Sequence, residues 1–409
     1  MKVLQINATF GQGSTGVIVE HLHQCCLQNG IKSYIACPIL SDVETKNDNF
    51  YKIGNWCTRK WHALMSRIAG KQAYYSKCST RRFIKWVQSI NPDVVHLHNL
   101  HSNYIHLNLL LKYLSIHDIP TIITMHDCWY FTGGCFHYTN VECSKWHHRC
   151  GRCPKRMEDT PSYLYDATKK ILKDRKKYLT SIPRLYLVGC SKWVVEEAKK
   201  SVLKNCNIQH INNGFDLDIF RPTPSSMAKK LGLEGKHILL GAASKWLSTV
   251  NKETLNYFIK EMPDNYILVL FGASEHKYLY PNVMLYGYTA NQYEMAQLYS
   301  MAEVFVNCSR EDTLSSLNLE AQACGTPVVT YEATGNKETV GEGCGYVVET
   351  GNACVLWMQA KRVIETKDGT FSIKCQKWVK QEFDKKNYEK YVQLYREAVG
   401  ESIVDDIVN

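Results

Sequence analysis

The chain has 409 residues, 45% hydrophobic and 22% charged, a length that suits two domains and a composition that excludes a disordered chain. Its formal net charge of +10 favours anionic partners such as nucleotides or acidic lipid headgroups. No run approaches the roughly 18–20 apolar residues of a spanning helix, and the N-terminal MKVLQINATF turns polar after one short apolar run, as a first β-strand does and a signal peptide does not. The expectation is a cytoplasmic protein, at most peripheral to a membrane.

Short β-branched runs alternate with longer helical patterns. Val3–Ile6, Ser33–Ala36, Val94–Leu97, Thr121–Met125 and Leu185–Gly189 are predicted as strands in the first half. His237–Gly241, Tyr266–Phe271, Val283–Tyr286, Val304–Asn307 and Val328–Thr330 are predicted in the second. Strands without polar alternation, separated by helices, mark parallel sheets covered on both faces. Two such series predict an α/β protein of two Rossmann-like, doubly wound domains facing across a cleft. The first domain is expected over 1–205, with a Cys-rich insertion at 128–155. A Gly-, Asn- and Pro-bearing linker follows over 206–222, then a second domain over 223–380. The segment 381–409 supplies a helix and tail: Phe383–Val399 spaces Tyr388, Tyr391, Val392, Leu394 and Tyr395 along one helical face, closing the chain against a domain.

Several segments carry more than fold. Gly11-Gln-Gly-Ser-Thr-Gly16 follows the first strand and fits G-x-G-x-x-G. A dinucleotide-dependent oxidoreductase would use such a loop, yet the second strand, SYIACPILS, lacks the acid that holds a ribose about 20 residues on. The simplest reading is a strand-to-helix turn. From Cys57 to Trp86 there is no Asp or Glu, whereas Arg59, Lys60, Arg67, Lys71, Lys77, Arg81, Arg82 and Lys85 are present. Trp56, Trp61, Leu64, Met65 and Ile68 lie among them. Such a segment can sit at an anionic membrane surface, or pack its apolar side on its own domain. A second basic stretch, Lys169–Lys177, tilts the balance toward the membrane. His96 and His98 alternate in a strand and read as packing residues. His126 and Asp127 follow a strand and point to the cleft rim.

Seventeen cysteines, odd in number and widely scattered, argue against a secreted disulfide framework. Four of them cluster: Cys135, Cys143, Cys150 and Cys153, with seven, six and two residues between them. Cys150-Gly-Arg-Cys153 has the knuckle spacing of a tetrahedral zinc site. A structural zinc, free thiols and a redox-formed bridge are the readings open to this cluster.

The densest constellation is Ser309–Val329, SREDTLSSLNLEAQACGTPVV. It leaves a buried-type strand, crosses a polar loop and starts a helix near Ser315 that ends at Cys324–Gly325. Asp312 and Glu320 thereby bracket a helix N-terminus at the C-terminal end of a parallel strand, where open α/β sheets bind ligands. Free N–H groups and the helix dipole suit a diphosphate there, and the two acids suit sugar hydroxyls. An isolated pair of this kind is also compatible with a surface acid and a loop acid.

The stretch resembles the signature of the family-4 retaining glycosyltransferases, two acids with seven residues between them followed by A-x-A-C-G-x-P-V-V. Asp312 stands where the family has its first Glu. INNGFDLDIFRP at Ile211–Pro222 is similar to the family's interdomain linker, VGCSKW at Val188–Trp193 to the end of its first domain, and Gly335–Glu338 to its Gly–Gly–x–x–Glu loop, with Asn336 at the second Gly. The nearest branch is that of bacterial capsule, exopolysaccharide and O-antigen synthesis. The resemblance implies a hexosyltransferase that moves a sugar with retention from a nucleotide-sugar donor to a glycan or lipid-linked acceptor. His126, Asp312 and Glu320 would be catalytic. Gly13, Gly16, Lys245, Lys252, Ser315, Ser316 and Leu317 would meet the donor and its phosphates. Lys252 takes the place of the family's phosphate-binding Lys and Lys245 that of its Arg. No catalytic metal and no nucleic-acid partner are implied. The alternatives are a sugar-nucleotide epimerase of the same fold, an NAD-dependent oxidoreductase, and a basic zinc-containing binding module; the last leaves Asp312 and Glu320 without a role.

Overall fold

The computed structural model describes residues 1–41, 43–366 and 369–401. The chain divides into two compact units, residues 1–213 together with the C-terminal segment from Lys386, and Gly214–Lys385. Each is built on a seven-stranded sheet.

The first sheet contains β1 (Lys2–Ile6), β2 (Lys32–Cys37), β3 (Phe50–Lys52), β4 (Val94–Leu97), β5 (Thr121–Met125), β6 (Leu185–Gly189) and β7 (Asn207–His210), in the order β3-β2-β1-β4-β5-β6-β7. Every pair is parallel. The second contains β8 (His237–Ala242), β9 (Tyr266–Phe271), β10 (Lys277–Tyr280), β11 (Val283–Leu285), β12 (Val304–Asn307), β13 (Val328–Tyr331) and β14 (Gly345–Val348), in the order β10-β11-β9-β8-β12-β13-β14. Only its edge hairpin β10–β11 is antiparallel.

The ten predicted strands are the ten inner strands of the two sheets. The four not predicted, β3, β7, β10 and β14, are the four edges. The reason is burial: β4, β5, β12 and β13 are buried at every position, whereas β10 is exposed at every position and β7 at best half-buried. An edge strand is held by backbone pairing on one side and needs no continuous apolar run. Because β7 pairs along β6 from Tyr186↔Asn207 to Gly189↔His210, the segment 206–222 is not linker throughout; it begins with a strand of the first sheet.

Successive residues of the first sheet point to opposite faces. Leu4, Ile6, Val95, Leu97, Ile123 and Met125 join one core with Phe83, Val87 and Leu110. Val3, Val94, Ile122 and Val188 join the other with Ile18, Leu22 and the C-terminal tyrosines. The predicted single helix over 383–399 is two pieces. Phe383 ends the helix Thr370–Phe383, Asp384 is extended, and a new helix, Asn387–Val399, follows. Gly214–Lys385 thus closes on itself, with Phe215 N–H donating to the Phe383 carbonyl at 2.7 Å. The last helix packs on the first sheet through Tyr388, Tyr391, Val392, Leu394 and Tyr395, each large side chain contributing roughly 1.5–3 kcal/mol by burial.

Candidate active site

In the second domain β12 runs into a loop that ends at Ser315 and the helix Ser316–Ala323. A buried amide network fixes this corner. Asn307, the last residue of β12, donates from Nδ2 to Ser315 Oγ (3.1 Å) and to Asn318 Oδ1 (2.9 Å), while its own Oδ1 accepts from Ser309 N–H (2.9 Å). Asn318 Nδ2 donates to Thr339 Oγ1 (2.8 Å), and Gln322 Nε2 donates to the carbonyls of Asn318 and Thr339. Buried amides of this kind persist only when partnered, so the network specifies one loop geometry.

The consequence lies at the helix start. Ser315 is the N-cap, but its hydroxyl is taken up by Asn307 and makes no capping bond, and no acid sits in the first turn. The first N–H groups therefore keep their donors and the positive end of the dipole for a ligand. Ser316 and Leu317 are half-buried there and Ser315 is buried. Such a helix start is suited to an anion.

Asp312 lies in the loop before that helix. Its N–H donates to Thr334 Oγ1 (2.9 Å), and its carbonyl accepts from Thr334 Oγ1 and from Gly335 N–H (3.0 Å). Its carboxylate makes no hydrogen bond or ion pair among the described residues and is half-buried. Thr334 holds φ +51°, a left-handed conformation uncommon for a β-branched residue and offset here by the two bonds to Asp312. Gly335 is obligatory: a Cβ there would stand 1.8 Å from the Thr313 carbonyl oxygen. Asn336 donates to the Ser309 carbonyl (3.2 Å) and closes the same loop.

Glu320, on the signature helix, accepts from Tyr299 Oη at 3.0 Å. Burial raises its carboxyl above the usual value, against the lowering effect of hydrogen bonds from Tyr299 and Ser316. A carboxylate with few donors of its own is well disposed to accept hydroxyl groups of a ligand.

The candidate phosphate cations follow β8. Lys245 lies in the short helix Ala243–Trp246, half-buried, and Lys252 opens the helix Lys252–Glu261, exposed. The sequence reading missed Arg310. Its Nε donates to Asn251 Oδ1 (3.1 Å), and Asn251 Nδ2 donates to the carbonyls of Lys245 (3.1 Å) and Cys308 (2.9 Å). One amide therefore joins the guanidinium of the signature loop to the loop that carries Lys245. Nothing in the spacing of Asn251 and Arg310 announces this pairing.

In the first domain, Gly13 starts the helix Gly13–Gln28 with φ +67° and open space where a Cβ would be. Gly16 is different: a Cβ would lie 2.7 Å from Thr9 Oγ1, so the loop folds tightly over it, with Gly11 N–H donating to the Gly16 carbonyl (3.0 Å). His126 follows β5, half-buried, its Nε2 3.2 Å from Nδ1 of His98 and the two rings stacked. Burial pulls its imidazole down to about 4, with Asp127 opposing, so it is neutral at neutral pH. Asp127 is paired with His101 (3.2 Å) and accepts from Trp129 N–H (2.7 Å). His96 is packed as anticipated: fully buried, bonded to Tyr395 Oη and Thr124 Oγ1, each at 2.7 Å.

Cys135, Cys143, Cys150 and Cys153 line one small cavity with Gly133, Trp146 and Gly151, and all four are free. As they stand, no three His, Cys, Asp or Glu side chains among the described residues are drawn to a common point as in a formed metal site.

Residues 15–219 match the family described as Glycosyltransferase Family 4, and residues 253–383 match that described as Glycosyl transferases group 1. The chain belongs to Glycosyltransferase Family 4 and is a glycosyltransferase. It is 21% identical over 365 residues to WcaC of Escherichia coli, described as a colanic acid biosynthesis glycosyl transferase, covering 85% of this chain and 87% of that protein. Among solved structures, sucrose-phosphate synthase from Thermosynechococcus elongatus superposes with a TM-score of 0.71 at 16% identity, covering 98% of this chain and 100% of that one. Anabaena HepE in complex with UDP superposes with a TM-score of 0.64 at 13% identity, covering 97% and 100%. These likenesses establish the two-domain Rossmann-like fold common to such enzymes.

Proposed function

We propose that this enzyme transfers a hexose, with retention of configuration, from a nucleotide-sugar donor to a glycan or lipid-linked acceptor during assembly of a bacterial surface polysaccharide. The observation that carries this reading is the uncapped helix N-terminus at Ser316, with the unpartnered carboxylate of Asp312 before it and Glu320 one turn along. A diphosphate fits the N–H groups of Ser316 and Leu317, and the two acids suit hydroxyl groups on the ribose and the sugar. Glu320 is assigned to the ribose and Asp312 to the sugar.

As the glycosidic bond breaks, negative charge builds on the departing diphosphate. Fixed dipoles at the helix start, with Lys245 and Lys252 as cations, stabilise that charge without reorganisation. The acceptor hydroxyl then enters on the face the diphosphate leaves, and a departing phosphate oxygen can take its proton. Gly13 permits close backbone approach by substrate, whereas Gly16, packed under Thr9, lets the loop fold over it. His126, neutral at neutral pH, is assigned to hydrogen bonding at the sugar. Likeness to WcaC and to HepE, whose structure holds UDP, supports this reading.

The acceptor is assigned to an anionic membrane surface, where the enzyme sits peripherally on the cytoplasmic face. Trp56, Trp61 and Leu64 of the helix Trp56–Ala69 are exposed, as are Tyr163, Leu164 and Tyr165. Tyr163 N–H donates to the Arg67 carbonyl (2.7 Å), so these apolar side chains share one basic patch. Aromatics amid Lys and Arg suit the headgroup layer. Among the described residues no helix is long and apolar enough to cross a membrane.

Transfer of labelled sugar from a nucleotide-sugar to a lipid extract, with the anomeric configuration of the product read by NMR, tests the proposal. A lipid-linked product of unchanged configuration is expected. Inversion would remove the retaining assignment, and absence of transfer from every donor would remove the proposal.

A further inference from the structure

Between β5 and the helix Thr168–Leu179 the chain has no regular element beyond three short turns, Trp129–Phe131, Thr139–Val141 and Lys145–His147. Long irregular segments inside compact domains need something to hold them. The ends of this one are anchored. Cys128 N–H donates to the Phe136 carbonyl (2.8 Å), Phe136 N–H donates to Asp159 Oδ2 (2.8 Å), and Cys153 N–H donates to Asp166 Oδ2 (2.7 Å). What lies inside is the cavity shared by Cys135, Cys143, Cys150 and Cys153.

Two features surrounding that cavity point to a ligand of the thiols. Gly133 lets Cys150 take its place in the cavity wall: a Cβ there would fall 2.9 Å from Cys150 Cβ and 2.7 Å from the Thr168 carbonyl oxygen. Positive charge also stands beside it. Arg175, 2% exposed, makes no ion pair with a carboxylate among the described residues. It donates to the carbonyls of Trp129 and Thr132 and lies 3.9 Å over the Trp129 ring, while its Nε finds no partner. Tyr74, Cys135, Asp127 and Cys150 are within its electrostatic reach. Lys145 Nζ donates to the carbonyls of Gly151 (3.4 Å) and Arg152 (3.0 Å), the two residues between Cys150 and Cys153. A buried guanidinium that no carboxylate pairs directly is costly. Four neutral thiols add nothing to the charge of Asp127, which acts on it from further off, whereas four thiolates on a divalent ion would.

We propose that Cys135, Cys143, Cys150 and Cys153 bind one zinc ion as a structural site that ties together the loop following His126. Each thiol releases its proton to solvent as its sulfur takes the metal. The resulting tetrathiolate carries net negative charge, which Arg175 and Lys145 offset. Four sulfur ligands leave no open position, so the ion is structural. Binding draws to one point the four side chains that already share the cavity.

The test uses the full chain purified without chelator. Metal analysis is expected to find one zinc per chain, released to a chromogenic chelator as a mercurial titrates four thiols beyond the exposed Cys57, Cys78 and Cys354. Cobalt(II) added after zinc removal is expected to give the thiolate charge-transfer and tetrahedral bands. Cys153→Ser should lose the zinc and unfold at lower temperature; Cys354→Ser, on an exposed thiol of the other domain, should keep it. If the cluster variants do not fold, zinc content and mercurial titration of the wild-type chain still decide. Metal-free protein with the four cluster thiols reactive, or a mass showing a disulfide among them, overturns the proposal. Neither result touches the assignment of the donor site, which is read in the other domain.

Discussion

The phenol of Tyr299 donates a 3.0 Å hydrogen bond to Oε2 of Glu320, coupling the helix Gln292–Met301 to the signature helix at the residue assigned to the donor ribose. Burial keeps the Glu320 carboxyl above its ordinary value even with this donor.

Tyr299→Phe removes a hydrogen bond to a charged acceptor, an interaction on the order of 1.5–3 kcal/mol. Donor kcat/KM is expected to fall roughly tenfold or more, mostly through KM, while circular dichroism is unchanged. An unaltered KM would show that Tyr299 does not orient Glu320.

Glu320→Gln separates stability from function. With its carboxyl raised in the folded state, that state binds more protons than the unfolded chain, and the ionised side chain subtracts stability as pH climbs past about 4.3, the unfolded value. The variant should therefore show a higher urea midpoint than the wild type at pH 7, and none below about pH 4, while losing donor binding. A lower midpoint at pH 7 would contradict the burial cost.

The histidines set an acid limit. Burial depresses His96 and His98 well below the ordinary value, His126 to about 4 and His62 to about 3. With folded values depressed, the stability they contribute is fully present above about pH 6.5 and is lost as pH falls toward the folded values. Urea midpoints should fall from pH 6.5 to pH 4, and His96→Asn should make that slope shallower. Equal slopes would show that His96 is not held neutral.

Gly335→Ala places a methyl group where the Thr313 carbonyl oxygen stands. The loop carrying Asp312 must shift, at a cost of about 1–3 kcal/mol, and donor affinity should drop at least tenfold. Asn336→Gly, which removes only the bond to the Ser309 carbonyl, should cost about 1 kcal/mol. Denaturant unfolding and donor titration compare the two, and equal effects would contradict the close-approach argument.

Arg310→Lys removes the Nε bond to Asn251 Oδ1 while keeping a charge. If Arg310 positions the Lys245 loop, donor KM rises several-fold and kcat stays near wild type. Arg310→Ala should then be worse than the Lys variant. An unchanged KM in both would leave Lys245 independent of it.

Legibility of the chain followed burial. Every inner strand was predicted because a strand sandwiched between helices is dominated by apolar residues, as Val304–Val306 is. All four edges escaped because Lys277–Tyr280 and Asn207–His210 carry no such demand. The tail face from Tyr388 to Tyr395 was legible by its period. The break at Asp384 was not, because it is set by a backbone bond from Phe215, far away in sequence. At the site, Asp312 and Glu320 stood out through the resemblance of their segment to the family signature, not through their spacing alone. Tyr299, Asn307 and Arg310 did not, because their partners are brought together only by the fold and no local pattern encodes the pairing.

The central claim is that the uncapped helix at Ser316, with Asp312 and Glu320, holds a nucleotide-sugar. The most direct measurement is calorimetric titration of UDP-, GDP- and ADP-sugars into the wild type and Glu320→Ala. Saturable binding of one donor by the wild type, weakened at least tenfold in Glu320→Ala, is the predicted result. No binding of any nucleotide-sugar, or equal binding by both proteins, would contradict the placement of the donor on this helix.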